Sequence, residues 1–163
     1  MAVDFATKQR ERAGAGWALR NVKLRMSRKL IFVSGLLVCF RCHLRNLAII
    51  YDIPEKPAGA LIEYVSTYAN QTPLEILADA LMDYNISEET VCDLLDSYDA
   101  FLECLNNVGH REILKNLSLE ASKDDKVFQQ MRKIGHRFQR GLDKLFFVEN
   151  EELRNLIQKY GIF

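Results

Sequence analysis

The chain has 163 residues, of which 48% are hydrophobic and 27% charged. That is enough chain to bury a core as one domain, and too apolar for a disordered segment. The net charge is zero, 22 Lys and Arg balancing 22 Asp and Glu, which excludes a uniformly basic or acidic protein. The balance is uneven along the chain: residues 1–50 hold 10 basic and 2 acidic side chains, residues 51–107 hold 1 and 12, and residues 108–163 hold 11 and 8.

The polar residues 1–15 are expected to be a flexible N-terminal segment, and 16–163 a single helical domain. Leu19, Val22, Met26, Leu30, Val33, Leu37, Phe40, Leu44 and Leu47 follow one another at steps of three and four. This is the apolar stripe of one long first helix. Gly35 inside it is a place for a kink or a close helix crossing. The longest apolar run, residues 30–40, is too short to span a membrane, which takes about 20 residues. It also begins too late for a secretory signal. The expectation is a cytoplasmic protein, with no membrane partner and with its four cysteines reduced.

Pro54 and Pro57 end the first pattern. Leu61, Val65 and Tyr68 predict a short second helix. Thr72-Pro73-Leu74-Glu75 is a start signal, with Thr72 as cap, Pro73 in the first helical position and Glu75 closing a capping box. Leu74, Leu77, Leu81 and Tyr84 would face inward. Ser87, followed by Glu88 and Glu89, starts the next helix, with Val91, Leu94 or Leu95, Tyr98, Leu102 and Leu105 on its core side. A shorter helix is expected over 109–117. Ser122 with Asp125 opens another, carrying Val127, Met131, Ile134, Phe138, Leu142 and Leu145. Asn150 caps a last helix with Leu153, Leu156 and Tyr160. No segment alternates as a strand does. The fold class is therefore all-α, an irregular bundle of six or seven helices with a long first helix.

Several patterns bear on chemistry. Asn21, Arg25, Arg28, Phe32, Cys39 and His43 fall near one line on the first helix, flanked by Arg20, Lys23 and Lys29. Arginines in such a row suit phosphate or carboxylate, because the guanidinium fork binds these through paired hydrogen bonds. A solvated face, or a set of partners for the acidic middle segment, would look the same. Cys39-Phe40-Arg41-Cys42-His43 has the C-x-x-C-H spacing of covalent haem attachment. It could also supply two zinc ligands, with Cys92, Cys104, His43, His110 or His136 completing a set. Glu75, Asp79 and Asp83 recur every four residues, and Asp96, Asp99 and Glu103 lie on the following helix. Two such helices, if facing, could hold Mg²⁺ for phosphate chemistry. Arg132 and His136 share a helix face without the spacing of a helical ribonuclease pair. A Gly-rich phosphate loop with Lys, a nucleophile elbow and an H-E-x-x-H motif are all missing.

Gly14-Ala15-Gly16-Trp17-Ala18-Leu19-Arg20-Asn21 resembles the glycine-containing stretch that opens the helical region after the catalytic domain in PII uridylyltransferase-like nucleotidyltransferases. Asn21 stands where that family has Asp, and the adjacent glycine pair is missing. The family's Gly-Ser and Asp-x-Asp catalytic elements are absent. The resemblance thus implies a helical companion of a nucleotidyltransferase, positioning a partner or a nucleotide-bearing domain.

The reading these features favour is a non-enzymatic interaction or regulatory domain. It would bind an anionic ligand or partner through Arg20, Asn21, Arg25 and Arg28 on a basic first helix. A protein partner fits, and so does nucleic acid, although rings for base stacking are few around the basic end. The long stripe could also seat a second copy in a homo-oligomer. Two alternatives stay open: a metal-dependent nucleotide or phosphate hydrolase using the carboxylates of 75–103, and a haem or metal carrier through Cys39 and Cys42.

Overall fold

A computed structural model of the chain describes residues 16–44 and 57–161. The expected flexible segment 1–15 and Leu47 of the stripe lie outside the described residues. Among those described there are seven helices and no strand, so the chain is an all-α irregular bundle whose first helix is the longest. Helix α1 runs over 17–44 as an α-helical Trp17–Lys23, a π-helical turn Leu24–Arg28 and an α-helical Lys29–Leu44. The others are α2 (Pro57–Ala69), α3 (Pro73–Asp83), α4 (Glu88–Asn106), α5 (Val108–Asn116), α6 (Lys126–Phe147) and α7 (Glu151–Tyr160), with a 3₁₀ turn at Ala121–Lys123 before α6. Among the described residues no helix is long and apolar enough to cross a membrane.

The π-turn follows from the spacing of the stripe. Ala18, and not the expected Leu19, which is half-buried, is buried together with Val22, Met26 and Leu30, and these four come at three successive steps of four. On an α-helix of 3.6 residues per turn each such step overshoots by about 40°, so three would swing the stripe by about 120°. A π-turn closes i→i+5 bonds and takes up one more residue per turn. Placed over Leu24–Arg28, it takes back most of that drift. Beyond it, Leu30, Val33, Leu37 and Phe40 continue at mixed steps and stay buried. The irregularity expected at Gly35 is therefore absent there. Gly35 is exposed, and a Cβ added to it would meet nothing within 4 Å.

The described residues cluster into two units, one of 16–28 with 89–142, the other of 29–44 and 57–88 with 143–161. In the first, the indole N–H of Trp17 donates to the Leu117 carbonyl at 2.6 Å, and its ring meets Phe128 edge-on at 5.3 Å. Gly16, at φ 90°, takes the left-handed conformation glycine tolerates best and donates its N–H to the Lys115 carbonyl. Leu94, Phe101, Leu114, Met131 and Phe138 fill the core. Gly141 lies so close to Leu94 that a Cβ would come within 2.7 Å of its Cγ.

The buried side of α4 is not the one its apolar residues predict. Thr90, Asp93, Leu94, Ser97, Phe101 and Cys104 are buried, while Leu102 is exposed and Val91, Leu95, Tyr98 and Leu105 are half-buried. The polar members are tolerated because they are bonded. Ser97 Oγ donates to the Asp93 carbonyl at 2.5 Å, and the Asp93 carboxylate accepts from Arg137 Nε at 2.8 Å and Arg140 Nε at 3.2 Å. Arg137 also reaches Asp96 at 3.0 Å.

In the second unit, Leu37, Leu77, Leu145 and Leu153 are fully buried and Phe40 meets Phe146 edge-on. Thr72 and Glu75 form the expected capping box, with Pro73 as the first residue of α3. That helix ends in a Schellman turn: Ile86 N–H reaches the Leu81 carbonyl and Asn85 N–H the Met82 carbonyl, with Asn85 at φ 49°. Asn150 caps α7 through the Leu153 N–H, as expected. Three further expectations need correction. Pro57 opens α2 instead of only ending what precedes it, since a proline fits the first helical turn. On α2, Tyr64 is buried and Val65 exposed, because the Tyr64 hydroxyl bonds the Val38 carbonyl. At the start of α6, Asp125 rather than Ser122 caps, accepting from Phe128 N–H at 2.7 Å; Ser122 is buried in the 3₁₀ turn and bonds Leu119.

Two outcomes test this packing by urea unfolding. Gly35→Ala should gain about 0.5–1 kcal/mol from helix propensity alone. Gly141→Ala should lose roughly 1–2 kcal/mol, because crowding against Leu94 outweighs the same gain. The hydrogen bond from Arg137, then that from Arg140, holds the Asp93 carboxyl below its ordinary range. A lowered folded-state value means stabilisation present above the ordinary aspartate range and lost as pH falls through the folded value. Asp93→Asn should therefore flatten the loss of stability measured by urea midpoints between neutral pH and pH 3.

Candidate functional site

The basic face of α1 is set by the same winding that buries its stripe. With Ala18, Val22 and Met26 turned inward, Arg20, Lys23, Arg25 and Arg28 are exposed and Asn21 is half-buried. Arg25 and Arg28 both belong to the π-turn. Asn21 Oδ1 accepts from Arg25 Nε at 3.0 Å, which orients that guanidinium and leaves its two terminal nitrogens outward. Neither Arg25 nor Arg28 pairs with a carboxylate among the described residues. The root of Arg25 lies over Gly135 of α6, where an added Cβ would meet Arg25 Cβ at 3.9 Å. Exposed Arg132 and His136 lie on α6, one turn before and one residue after Gly135. The structure thus presents Arg20, Asn21, Arg25 and Arg28 on one short stretch of helix. The π winding spreads Arg25 and Arg28 over a wider arc than an α-helix would. Phe32, Cys39 and His43, the rest of the row, are exposed in the other unit.

The remaining candidates are placed as follows. Cys39 is exposed and not a buried apolar filler. Cys42 is half-buried, and burial followed by the neighbouring Cys39 pushes its thiol up. His43 packs edge-on against the Tyr160 ring at 5.4 Å. Cys104 is buried with its thiol pushed up by desolvation, 3.4 Å from His110 Nδ1. Among the described residues no three His, Cys, Asp or Glu side chains are grouped to hold a metal ion. Of the candidate carboxylates on α3 and α4, Asp99 and Glu103 are exposed and the others have separate employments. Glu75 closes its capping box, and its acidity is raised chiefly by the Thr72 backbone N–H. Asp79 accepts from Gln71 at 3.0 Å, Asp83 pairs with Arg41, and Asp96 pairs with Arg137.

One arrangement was not legible as a site in the sequence. Arg41 is only 6% exposed although it is an arginine on an apolar stretch. Its Nη2 donates to Asp83 at 2.5 Å and its Nη1 reaches the Tyr68 hydroxyl at 3.5 Å. Half-buried Tyr84 stands beside it; burial raises the phenol's pKa and the Arg41 charge opposes that rise. Arg41, Thr67, Tyr68, Gln71, Asp79 and Asp83 line a cavity of about 300 Å³.

Comparison with protein-family models, curated proteins and solved structures gives no match. The signal for Arg41 was its position: one residue after Phe40 and four after Leu37, it falls at the margin of the buried stripe, where a cation needs a partner.

Proposed function

We propose that this chain is a non-enzymatic helical binding domain whose first helix takes an anionic partner at its π-turn. The observation that carries the reading is that Arg25 and Arg28 are exposed on that turn with no carboxylate partner among the described residues. In the same unit Arg137 and Arg140 are by contrast engaged, held by Asp93 and Asp96. Asn21 orients the Arg25 fork, which lowers the ordering cost of binding a carboxylate or phosphate. Two guanidinium groups spread over an arc suit an extended acidic surface better than one small anion. A π-turn also fits this role, since such turns often sit at functional positions in helices.

The partner favoured here is an acid-rich protein segment. The likeness of residues 14–21 to the start of a helical region in nucleotidyltransferases supports one source for it, a catalytic domain for which this chain is the regulatory companion. Of that stretch, Gly14 and Ala15 lie outside the described residues. Gly16 and Trp17 begin α1, with Gly16 as its left-handed cap.

The test is fluorescence anisotropy with a labelled peptide of Asp and Glu residues. Arg25→Ala with Arg28→Ala should weaken binding about tenfold, equivalent to roughly 1.4 kcal/mol. Thermal stability should hardly change, because both side chains are exposed. Lys133→Ala, removing an exposed cation of α6, should leave the affinity unaltered. Equal binding by the double variant and the parent, or equal losses from Lys133→Ala, would defeat the proposal. Tighter capture of single-stranded DNA than of the peptide would replace the protein partner by nucleic acid.

A further inference from the structure

The cavity beside Arg41 lies in the second unit, apart from the residues invoked above. Its polar groups are only partly used. Arg41 spends Nη2 on Asp83 and Nη1 on Tyr68, but its buried Nε has no partner among the described residues. Gln71 spends Nε2 on Asp79, and its buried Oε1 likewise has none. Thr67 gives its hydroxyl proton to the Tyr64 carbonyl at 2.6 Å, leaving oxygen lone pairs. The Tyr68 hydroxyl accepts from Arg41, so its own proton remains to be donated. Unsatisfied buried groups of this kind are uncommon in folded proteins and call for a partner.

The charge and the donor–acceptor balance say what that partner is. One guanidinium faces two carboxylates, Asp79 and Asp83, so the wall carries a net charge of about −1 at neutral pH. The unused acceptors are Gln71 Oε1, Thr67 Oγ1 and the second oxygens of both aspartates; the unused donors are Tyr68 O–H, Arg41 Nε–H and the second N–H of each Arg41 terminal nitrogen. The negative wall takes a monocation whose N–H groups reach Gln71 Oε1 and Asp79, with one oxygen acceptor close to the cationic nitrogen for Tyr68. A bare dication fits badly, because Arg41 stands in the same wall and only two carboxylates are present. The volume, at the small end of ligand pockets, suits a molecule up to about the size of a monosaccharide.

We infer that the cavity bounded by Arg41, Tyr68, Gln71, Asp79 and Asp83 binds a small hydroxylated primary amine, of the amino-alcohol or amino-sugar class. The ammonium group sits between Asp79 and Gln71 Oε1, and the ligand's hydroxyl oxygen accepts from Tyr68. Because Gln71 Oε1 and Arg41 Nε are shielded, a small rotation of the half-buried Gln71 side chain accompanies binding.

The experiment uses the full chain, labelled with ¹⁵N, and follows the Gln71 side-chain amide and the thermal midpoint. The probes are ethanolamine, glucosamine, ethylamine and tetramethylammonium, at constant ionic strength. Ethanolamine or glucosamine should move the Gln71 resonances saturably and raise the midpoint, the better of the two showing whether the pocket prefers a chain or a ring. Ethylamine, lacking the hydroxyl, should bind several-fold more weakly, and tetramethylammonium, lacking N–H donors, should not saturate. Asp79→Asn should weaken the better ligand at least tenfold. Tyr68→Phe, which retains the ring and needs no new contact, should weaken it several-fold and bring it level with ethylamine. Absence of saturable shifts from both hydroxylated amines would overturn the inference. So would equal responses to tetramethylammonium, or unchanged affinity in Asp79→Asn and Tyr68→Phe.

Discussion

The winding of α1 at Leu24–Arg28 is the constraint on which the other features depend. Three apolar steps of four precede Leu30, and an unbroken α-helix would let them drift around its surface. One additional residue in a π-turn removes most of the drift, so that Ala18, Val22, Met26 and Leu30 share a buried side. The same turn decides what faces outward. Arg25 and Arg28 leave the helix on its solvent side because Met26 between them is committed to the core, at 1% exposure. Core packing and a cationic surface are two consequences of a single departure from regular helix geometry.

Electrostatics then separates used from unused charge. The basic early residues and the acidic middle residues look like natural partners, yet the ion pairs that form are selective. Asp93 is buried and takes two arginines from α6, both of them partly exposed. Asp83 takes Arg41, the one α1 cation that is buried. Each case follows the cost of burying a charge: a partner appears where desolvation demands one. Exposed Arg25 and Arg28 face no such demand, and the neutral Asn21 is the only group that fixes either of them among the described residues.

Much of the fold was legible because helices announce themselves locally. Thr72-Pro73-Leu74-Glu75 and Asn150 act as caps where their chemistry says they should, and the α1 stripe names its own buried side. The inward side of α4 was misread because apolar pattern treats Thr90, Asp93 and Ser97 as surface, whereas tertiary hydrogen bonds let them be buried. The π-turn is written in the sequence as the run of four-residue steps from Ala18 to Leu30, a pattern that the larger side chain of Leu19 obscures. The exposed arginines could be read from spacing. The burial of Arg41 could be read from its place at the margin of the stripe, but not its site, since its partners Tyr68 and Asp83, and the Gln71–Asp79 pair that lines the cavity with them, are brought together only by tertiary packing.

Removing single residues from α1 and following cooperative unfolding by circular dichroism tests the central point most directly. If Leu24–Arg28 holds one extra residue, deleting Ser27 converts the turn to ordinary α-helix with the stripe still aligned, and the variant should unfold cooperatively within a few degrees of the parent. Deleting exposed Gly35, which removes no side chain, should misalign either Leu30 and Val33 or Leu37 and Phe40, and abolish the cooperative transition. A Ser27 deletion as damaging as that of Gly35, or both deletions harmless, would contradict the account.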